Sequence, residues 1–359
     1  MASDKKNTKA LKEREGIPKP NSISELIANR LKKNRKKTPS SSALVQGILA
    51  GNLTALSRAI TLIESKAEKH QEKAKKIIEA CLPHSNKSVR IGITGVPGVG
   101  KSTFIEQFGK LFAKNKKVAV LAVDPSSSIS KGSILGDKTR MEELVNEPNA
   151  YIRPSASGDS LGGVARKTRE TIILCEAAGY EYIIIETVGV GQSETAVHSM
   201  TDFFLLLKLA GAGDELQGIK RGIIEMADTI VINKADGENI KAAKLAKVEF
   251  NRALHLYPPK ESNWSPKTLV CSAIKNEGIS EILDVINQYV SLTKENGYFQ
   301  TQRKEQNKFW LLQTIEENLK SDFYKHPEVK LALEKQLNLM DINKTTPFEA
   351  AAALLKLNN

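Results

Sequence analysis

Through the middle of the chain, short β-branched apolar runs alternate with stretches of helical periodicity. The runs are Val89–Thr94, Val118–Val123, Tyr182–Ile185, Phe203–Leu209, Thr229–Ile232 and Thr268–Cys271. Several are continuously apolar, which means burial on both faces, as the strands of a parallel sheet require. Helical stretches over 101–114, 161–179, 237–256 and 278–292 supply the crossovers that parallel neighbours need. The pattern predicts an α/β fold built on a doubly wound, mostly parallel sheet.

Helical extensions flank this block. Leu44, Ile48, Leu53, Leu56, Ile60, Ile63, Ile77 and Ile78 recur at helical spacing, predicting two or three amphipathic helices between Ala43 and Leu82. Asn52 after Gly51 reads as the cap of a restarted helix. Beyond residue 294 the chain turns polar. It then gives helices expected to carry Phe309, Trp310, Leu312, Ile315 and Leu319 on one face. The resulting division is a leader over 1–42, a helical segment over 43–88, the α/β domain over 89–293 and a helical arm over 294–359.

Charge is concentrated in the leader. Residues 1–40 hold nine Lys, three Arg and four acids, so +8 of the chain's +12 lies there. Such a segment buries little and reads as a flexible, solvated arm, although it has the charge to meet nucleic acid or anionic lipid. No interleaved aromatics accompany the bases, so no nucleic-acid partner is expected. No apolar run reaches the roughly 18–20 residues of a membrane span. Phe203–Ala212, broken by Lys208, reads as a buried strand, and no membrane partner is expected. The start has no secretory apolar segment, and Asp4, Glu13, Glu15 and Glu25 disfavour a transit peptide, leaving a cytoplasmic assignment. Cys81, Cys175 and Cys271 form no CxxC pair and are expected to be small core hydrophobes.

The most specific string is Gly95-Val96-Pro97-Gly98-Val99-Gly100-Lys101-Ser102, followed by Thr103. It joins a predicted strand to a predicted helix, the context that makes GxxxxGK[ST] a phosphate loop. Its glycines let backbone N–H groups converge on a phosphate, and the helix N-terminus adds its positive end. Lys101 would neutralise β/γ-phosphate charge and the Ser102 hydroxyl would ligate Mg²⁺. An ordinary glycine-rich turn has no need for both.

Asn233-Lys234-Ala235-Asp236 follows another strand. A carboxylate there accepts two hydrogen bonds from a guanine edge, a pair adenine does not offer, and a site built for that contact rejects the wrong base. Lys234 would lie along the base plane, Asn233 would tie loops together, and Ser272-Ala273 resembles a loop whose backbone reaches the guanine oxygen. The pocket is therefore expected to take GTP and GDP with Mg²⁺.

Glu186-Thr-Val-Gly189 has the shape of a DxxG element with Glu for Asp. Its carboxylate would hold Mg²⁺ and the Gly189 amide would sense the γ-phosphate. Val190 follows where a water-orienting Gln often stands, so turnover is expected to be slow. Gln192 and Glu194 are nearby candidates for the missing group. Asp124 and Asp137 are carboxylates expected at the ligand crevice. Asp214, Glu215 and Lys220 lie in a loop-like stretch at the same sheet edge, where a switch role competes with plain surface charge.

Together GVPGVGKST (95–103), VDPSSSISKGSILGDKTRM (123–141), RPSASGDSLGGVARKTRE (153–170), ETVGVGQSE (186–194), GAGDELQGIKRG (211–222) and NKAD resemble the methylmalonyl-CoA mutase-associated GTPase family. These are MeaB/ArgK-like P-loop G proteins, also labelled arginine/ornithine transport-system kinases. The flanks AGNLTALSRAITLIES (50–65) and TPFEAAAALL (346–355) resemble family segments too. The resemblance implies a P-loop NTPase domain and slow, partner-stimulated GTP hydrolysis. It also implies a partner, an adenosylcobalamin-dependent acyl-CoA mutase (methylmalonyl-CoA mutase) whose cofactor loading is gated and which is protected or reactivated. On the same basis Ser102, Asp124, Asp137 and Glu186 surround Mg²⁺, the loop at 211–221 is a third switch, and the arm over 294–359 makes a homodimer. Lys208-Leu-Ala210 departs from the more apolar, proline-containing turn expected there.

Two other functions compete with this reading. A small-molecule kinase would need an acceptor pocket that no motif reveals. A metal-insertion GTPase would need Cys/His clusters, whereas His70, His84, His198, His255 and His326 are scattered. No DxHxxG string is present, so the chain is expected not to bind cobalamin itself.

Overall fold

The computed structural model describes residues 39–123, 141–154, 161–187, 193–211 and 221–358. Almost all of the leader, together with Asp124, Asp137, Gly189, Val190, Gln192, Asp214, Glu215 and Lys220, lies outside the described residues.

Three helices open the described chain: α1 (Ser41–Leu49), α2 (Leu53–Glu64) and α3 (Glu68–Cys81). Asn52 caps α2, its side chain accepting from the Ala55 amide at 3.0 Å. Such a cap is worth about 1 kcal/mol. A seven-stranded parallel sheet follows in the order β3-β2-β4-β1-β5-β6-β7. Its strands are β1 (Val89–Gly95), β2 (Val118–Val123), β3 (Ala150–Arg153), β4 (Tyr182–Thr187), β5 (Phe203–Leu209), β6 (Thr229–Asn233) and β7 (Lys267–Val270). Between and after them run α4 (Lys101–Ala113), α5 (Leu161–Ala177), α6 (Ser193–His198), α7 (Arg221–Met226), α8 (Ile240–Leu254) and α9 (Ile279–Glu295). The chain ends in α10 (Tyr298–Lys325), α11 (Pro327–Asp341) and α12 (Pro347–Leu355).

Alternate side chains of each strand enter different cores, as the pleat dictates. Ile91, Ile93, Val118, Val120, Ile184, Leu205 and Leu207 pack with Phe104, Phe108 and Phe112 of α4 and Ile282 and Ile286 of α9. On the other face Ala119, Leu121, Ile183, Ile185 and Phe204 meet residues of α1, α2, α3, α5 and α6. Leu206, Ile230 and Ile232 share a third cluster with Phe250 and Leu254 of α8. The doubly wound α/β sheet read from the sequence is therefore the observed fold.

Several details differ from the sequence expectation. β3 pairs with β2 at the sheet edge, and its sequence Ala-Tyr-Ile-Arg holds no continuous apolar run. α6 and α7, six residues each, make fewer than two turns and show no helical period. The last strand ends at Val270, one residue earlier than expected. Trp310 does not share a face with its apolar neighbours. Phe299, Arg303, Gln306 and Trp310 recur at helical spacing and are buried, whereas Phe309, Leu312, Ile315 and Leu319 are exposed. Lys208, the anomalous base in β5, is buried with its ammonium 5.7 Å from the centre of the Phe250 ring. All three cysteines are buried and reduced, as expected.

Candidate functional site

The loop after β1 leaves the sheet at Gly95, whose φ is +156° and where a Cβ would stand 2.6 Å from the Leu207 carbonyl oxygen of the neighbouring strand. At Gly100 the backbone is left-handed (φ +92°) and a Cβ would come within 2.8 Å of Asn233 Nδ2. Only glycine fits both requirements at either end of the loop. α4 then starts at Lys101, whose Nζ donates to the carbonyls of Gly95 at 2.7 Å and Val96 at 3.2 Å. The ammonium is thus held over the loop's own concavity. Pro97 and Gly98 are exposed, Val96, Gly100, Ser102 and Thr103 half-buried, and Val99 is buried beneath.

β6 ends at Asn233, a buried side chain that ties three segments together. Its Nδ2 donates to the Val99 carbonyl at 2.9 Å, and its Oδ1 accepts from the Ala273 amide at 3.1 Å. The Cys271 thiol lies 3.4 Å from the same oxygen. Lys234, in a left-handed conformation (φ +57°), donates from Nζ to the Gly98 carbonyl at 2.9 Å. Ser272 donates its hydroxyl to Oδ2 of Asp236, and the Ala235 amide donates to the Cys271 carbonyl at 3.0 Å. Asp236 is half-buried, so a ligand can still reach its carboxylate. The structure therefore brings Gly95 to Thr103, Asn233, Lys234, Asp236, Ser272 and Ala273 to one end of the sheet, at the C-terminal tips of β1, β6 and β7. In an open parallel sheet this is where ligands bind.

Glu186 lies on β4 beside β1, in register with Ile93, and is half-buried. With the Ser102 hydroxyl it offers two hard oxygen donors, the chemistry Mg²⁺ selects. Among the described residues no group of three or more His, Cys, Asp or Glu stands ready for a metal, and the other two expected ligands, Asp124 and Asp137, fall outside them. The two donors present fit a hard divalent ion.

Comparison with known proteins shows the family. A profile described as "Methylmalonyl Co-A mutase-associated GTPase MeaB" matches residues 56–328. The chain belongs to the MeaB family. MeaB-type relatives include a Mycobacterium tuberculosis protein named "Probable GTPase Rv1496", 46% identical over 88% of this chain and 94% of that protein. "GTPase ArgK" of Escherichia coli is 42% identical over 84% of this chain and 92% of its own length. "Methylmalonic aciduria type A homolog, mitochondrial" of Mus musculus is 44% identical over 87% and 78%. Among solved structures, one described as "Crystal structure of LAO/AO transport system kinase" superposes with a TM-score of 0.71 at 35% identity, covering 88% of this chain and 97% of that one.

Within this MeaB-family site, sequence reasoning missed one contact. The hydroxyl of Thr187, next to Glu186, donates to that of Thr94, the last residue before Gly95, at 2.8 Å, and both are buried. Each threonine is visible at a strand tip, but only the β1–β4 register places them together. Cys271 was read merely as a core residue, yet it touches the side chain that laces the base loop. Burial pushes its thiol up to about 12.

Proposed function

We propose that this chain binds GTP and GDP with Mg²⁺ in the crevice above β1, β6 and β7, and hydrolyses GTP slowly. The observation that carries the reading is the direct lacing of the phosphate loop to the base loop through Asn233 and Lys234. One ligand spanning both loops, a purine nucleotide, accounts for that arrangement. The loop amides from Gly95 to Gly100 and the ammonium of Lys101 grip phosphate oxygens, and Thr103 follows on the first turn of α4. Asp236 reads the guanine edge, Lys234 lines the base, and Ser272 and Ala273 border it. Ser102, Asp124, Asp137 and Glu186 would hold Mg²⁺, which supplies charge neutralisation between the β- and γ-phosphates. Lys101 and Glu186 would act at the reacting phosphate, with Gln192 the candidate for orienting water and Gly189 the γ-phosphate sensor. Asp214, Glu215 and Lys220 are assigned to a further switch loop.

The same reading makes the protein a chaperone that gates cofactor loading of an adenosylcobalamin-dependent acyl-CoA mutase, methylmalonyl-CoA mutase by the family's description, without binding cobalamin itself. The family profile and the methylmalonic aciduria relatives support this partner. A homodimer through the arm is supported by the exposed apolar face of α10, where Leu311, Leu312, Ile315 and Leu319 stand opposite the buried Trp310 face. Charged residues on that face would be unremarkable, whereas clustered leucines in water mark an interface. No helix among the described residues is long and apolar enough to cross a membrane; the assignment is cytoplasmic, without nucleic-acid or membrane partners.

Calorimetry and affinity capture test the two halves separately. The wild-type chain should bind GDP with Mg²⁺ and Lys101→Ala should bind it at least about 100-fold more weakly, since it removes a charge-assisted contact to phosphate. Retained wild-type affinity in Lys101→Ala overturns the site. Capture from the source cell with a non-hydrolysable GTP analogue should retain a mutase that accelerates hydrolysis. Phosphate transfer to an amino acid, with ATP preferred, would instead establish a transport-system kinase.

A further inference from the structure

α10 does more than cross the sheet end opposite the nucleotide crevice. One face of it grips the four-residue turn Ser199–Asp202 that joins α6 to β5. Trp310 Nε1 donates to the Ser199 carbonyl at 3.1 Å, and the Gln306 and Gln302 amides both donate to the Thr201 carbonyl, at 2.6 and 3.4 Å. Arg303 holds Asp202 with two bonds, Nε to Oδ1 at 2.8 Å and Nη2 to Oδ2 at 2.7 Å, and also donates to the carbonyls of Asn86 and Ser88 at 2.9 and 2.6 Å. Arg303, Gln306, Trp310, Thr201 and Asp202 are all at least nine-tenths buried.

What this face holds is tied to the strand that leads into the phosphate loop. The end of α6 lies directly on β1. A Cβ placed at Gly92, three residues before Gly95, would stand 3.1 Å from Val197 Cγ1, 3.1 Å from Thr201 Oγ1 and 2.7 Å from Phe204 Cδ2. A shift of the phosphate-loop strand is therefore passed to the turn through direct packing.

The two ends of the α10 grip differ in kind. The Arg303 end is saturated with charged and backbone partners and acts as a fixed point. At the other end, two glutamine amides share one carbonyl. A single carbonyl serving two neutral donors holds this end less firmly than the charge-paired end.

We propose that Gln306 and Trp310 are positioning residues for the GTPase site: they set where α6 stands, and nucleotide state in turn sets their hydrogen bonds. The inference rests on the nucleotide-binding reading above. Only Trp264 and Trp310 carry indoles in this chain, so ¹⁵N NMR of the full chain reads two indole N–H signals, assigned with Trp310→Phe. The Trp310 signal should differ between the GDP form and the form with a non-hydrolysable GTP analogue, while that of Trp264 stays in place. Gln306→Leu should lower kcat for GTP about fivefold or more with KM and GDP affinity within twofold. A Trp310 signal identical in the two nucleotide forms, or wild-type kcat in a folded Gln306→Leu protein, overturns the proposal. A chain that binds neither nucleotide by calorimetry removes the reading beneath it as well, so the two failures are told apart. The wild-type NMR comparison decides the matter even if Gln306→Leu does not fold.

Discussion

Asn233 donates to the Val99 carbonyl at 2.9 Å and accepts from the Ala273 amide at 3.1 Å, so one buried side chain joins the loop after β1 to those after β6 and β7. Asn233→Ala would strand a carbonyl and an amide away from water. The expected loss is about 1–3 kcal/mol of stability, read as a lower urea midpoint, together with weaker GDP binding. A variant matching the wild type in both measurements would contradict the lacing.

Asp236 accepts from Ser272 at one oxygen and remains half-exposed. With Asn at this position the side chain presents a donor where guanine also presents donors. Asp236→Asn should therefore weaken GDP by about 100-fold or more, from about 1.5–3 kcal/mol for each charged hydrogen bond lost. Xanthosine diphosphate, which replaces one donor with an acceptor, should regain affinity. Competition binding with the two nucleotides checks this, and unchanged guanine preference rules out the assigned base site.

Burial holds the thiols protonated: Cys81 is raised to about 11 and Cys271 to about 12, and Cys175 is raised further. A thiol reacts as its thiolate. The native chain should therefore take up almost no disulfide reagent at pH 8 and three equivalents once unfolded in urea. Rapid labelling of Cys271 in the native state would show that the base loop opens readily.

His198 packs edge-on against Phe204. Burial holds its imidazole below the ordinary value; Asp228 opposes that shift and Lys260 reinforces it. With the folded value depressed, the unfolded chain takes up the proton first as pH falls. Stability from this residue is complete above about pH 6.5 and is lost as pH drops toward the folded value. His198→Leu should therefore lose less stability than the wild type between pH 7.5 and 5.5, measured as urea midpoints. Parallel profiles for the two chains would remove His198 as the cause.

The sheet and its helices were legible because parallel strands buried on both faces leave continuous apolar runs, and helices covering them leave a 3.6-residue period. Six strands were located this way within one or two residues, as was the cap at Asn52. β3, α6 and α7 were not: Ala-Tyr-Ile-Arg holds no continuous apolar run, and six residues make fewer than two helical turns. The strings at 95–103 and 233–236 stood out for a different reason: each is contiguous, and the structure places each at the C-terminal tip of a strand, as the sequence context requires.

Contacts between distant segments were decided by the tertiary structure alone. Asn233 with Val99, Thr187 with Thr94, and Trp310 with Ser199 are 134, 93 and 111 residues apart. No local propensity encodes such pairs; strand order and register create them. The same holds for the split of α10 into a buried face and an exposed apolar one. Helical spacing showed one apolar stripe and put Trp310 on it. The stripe of Phe299, Arg303, Gln306 and Trp310 that meets the sheet carries two polar residues and became visible only once the rest of the chain stood against it.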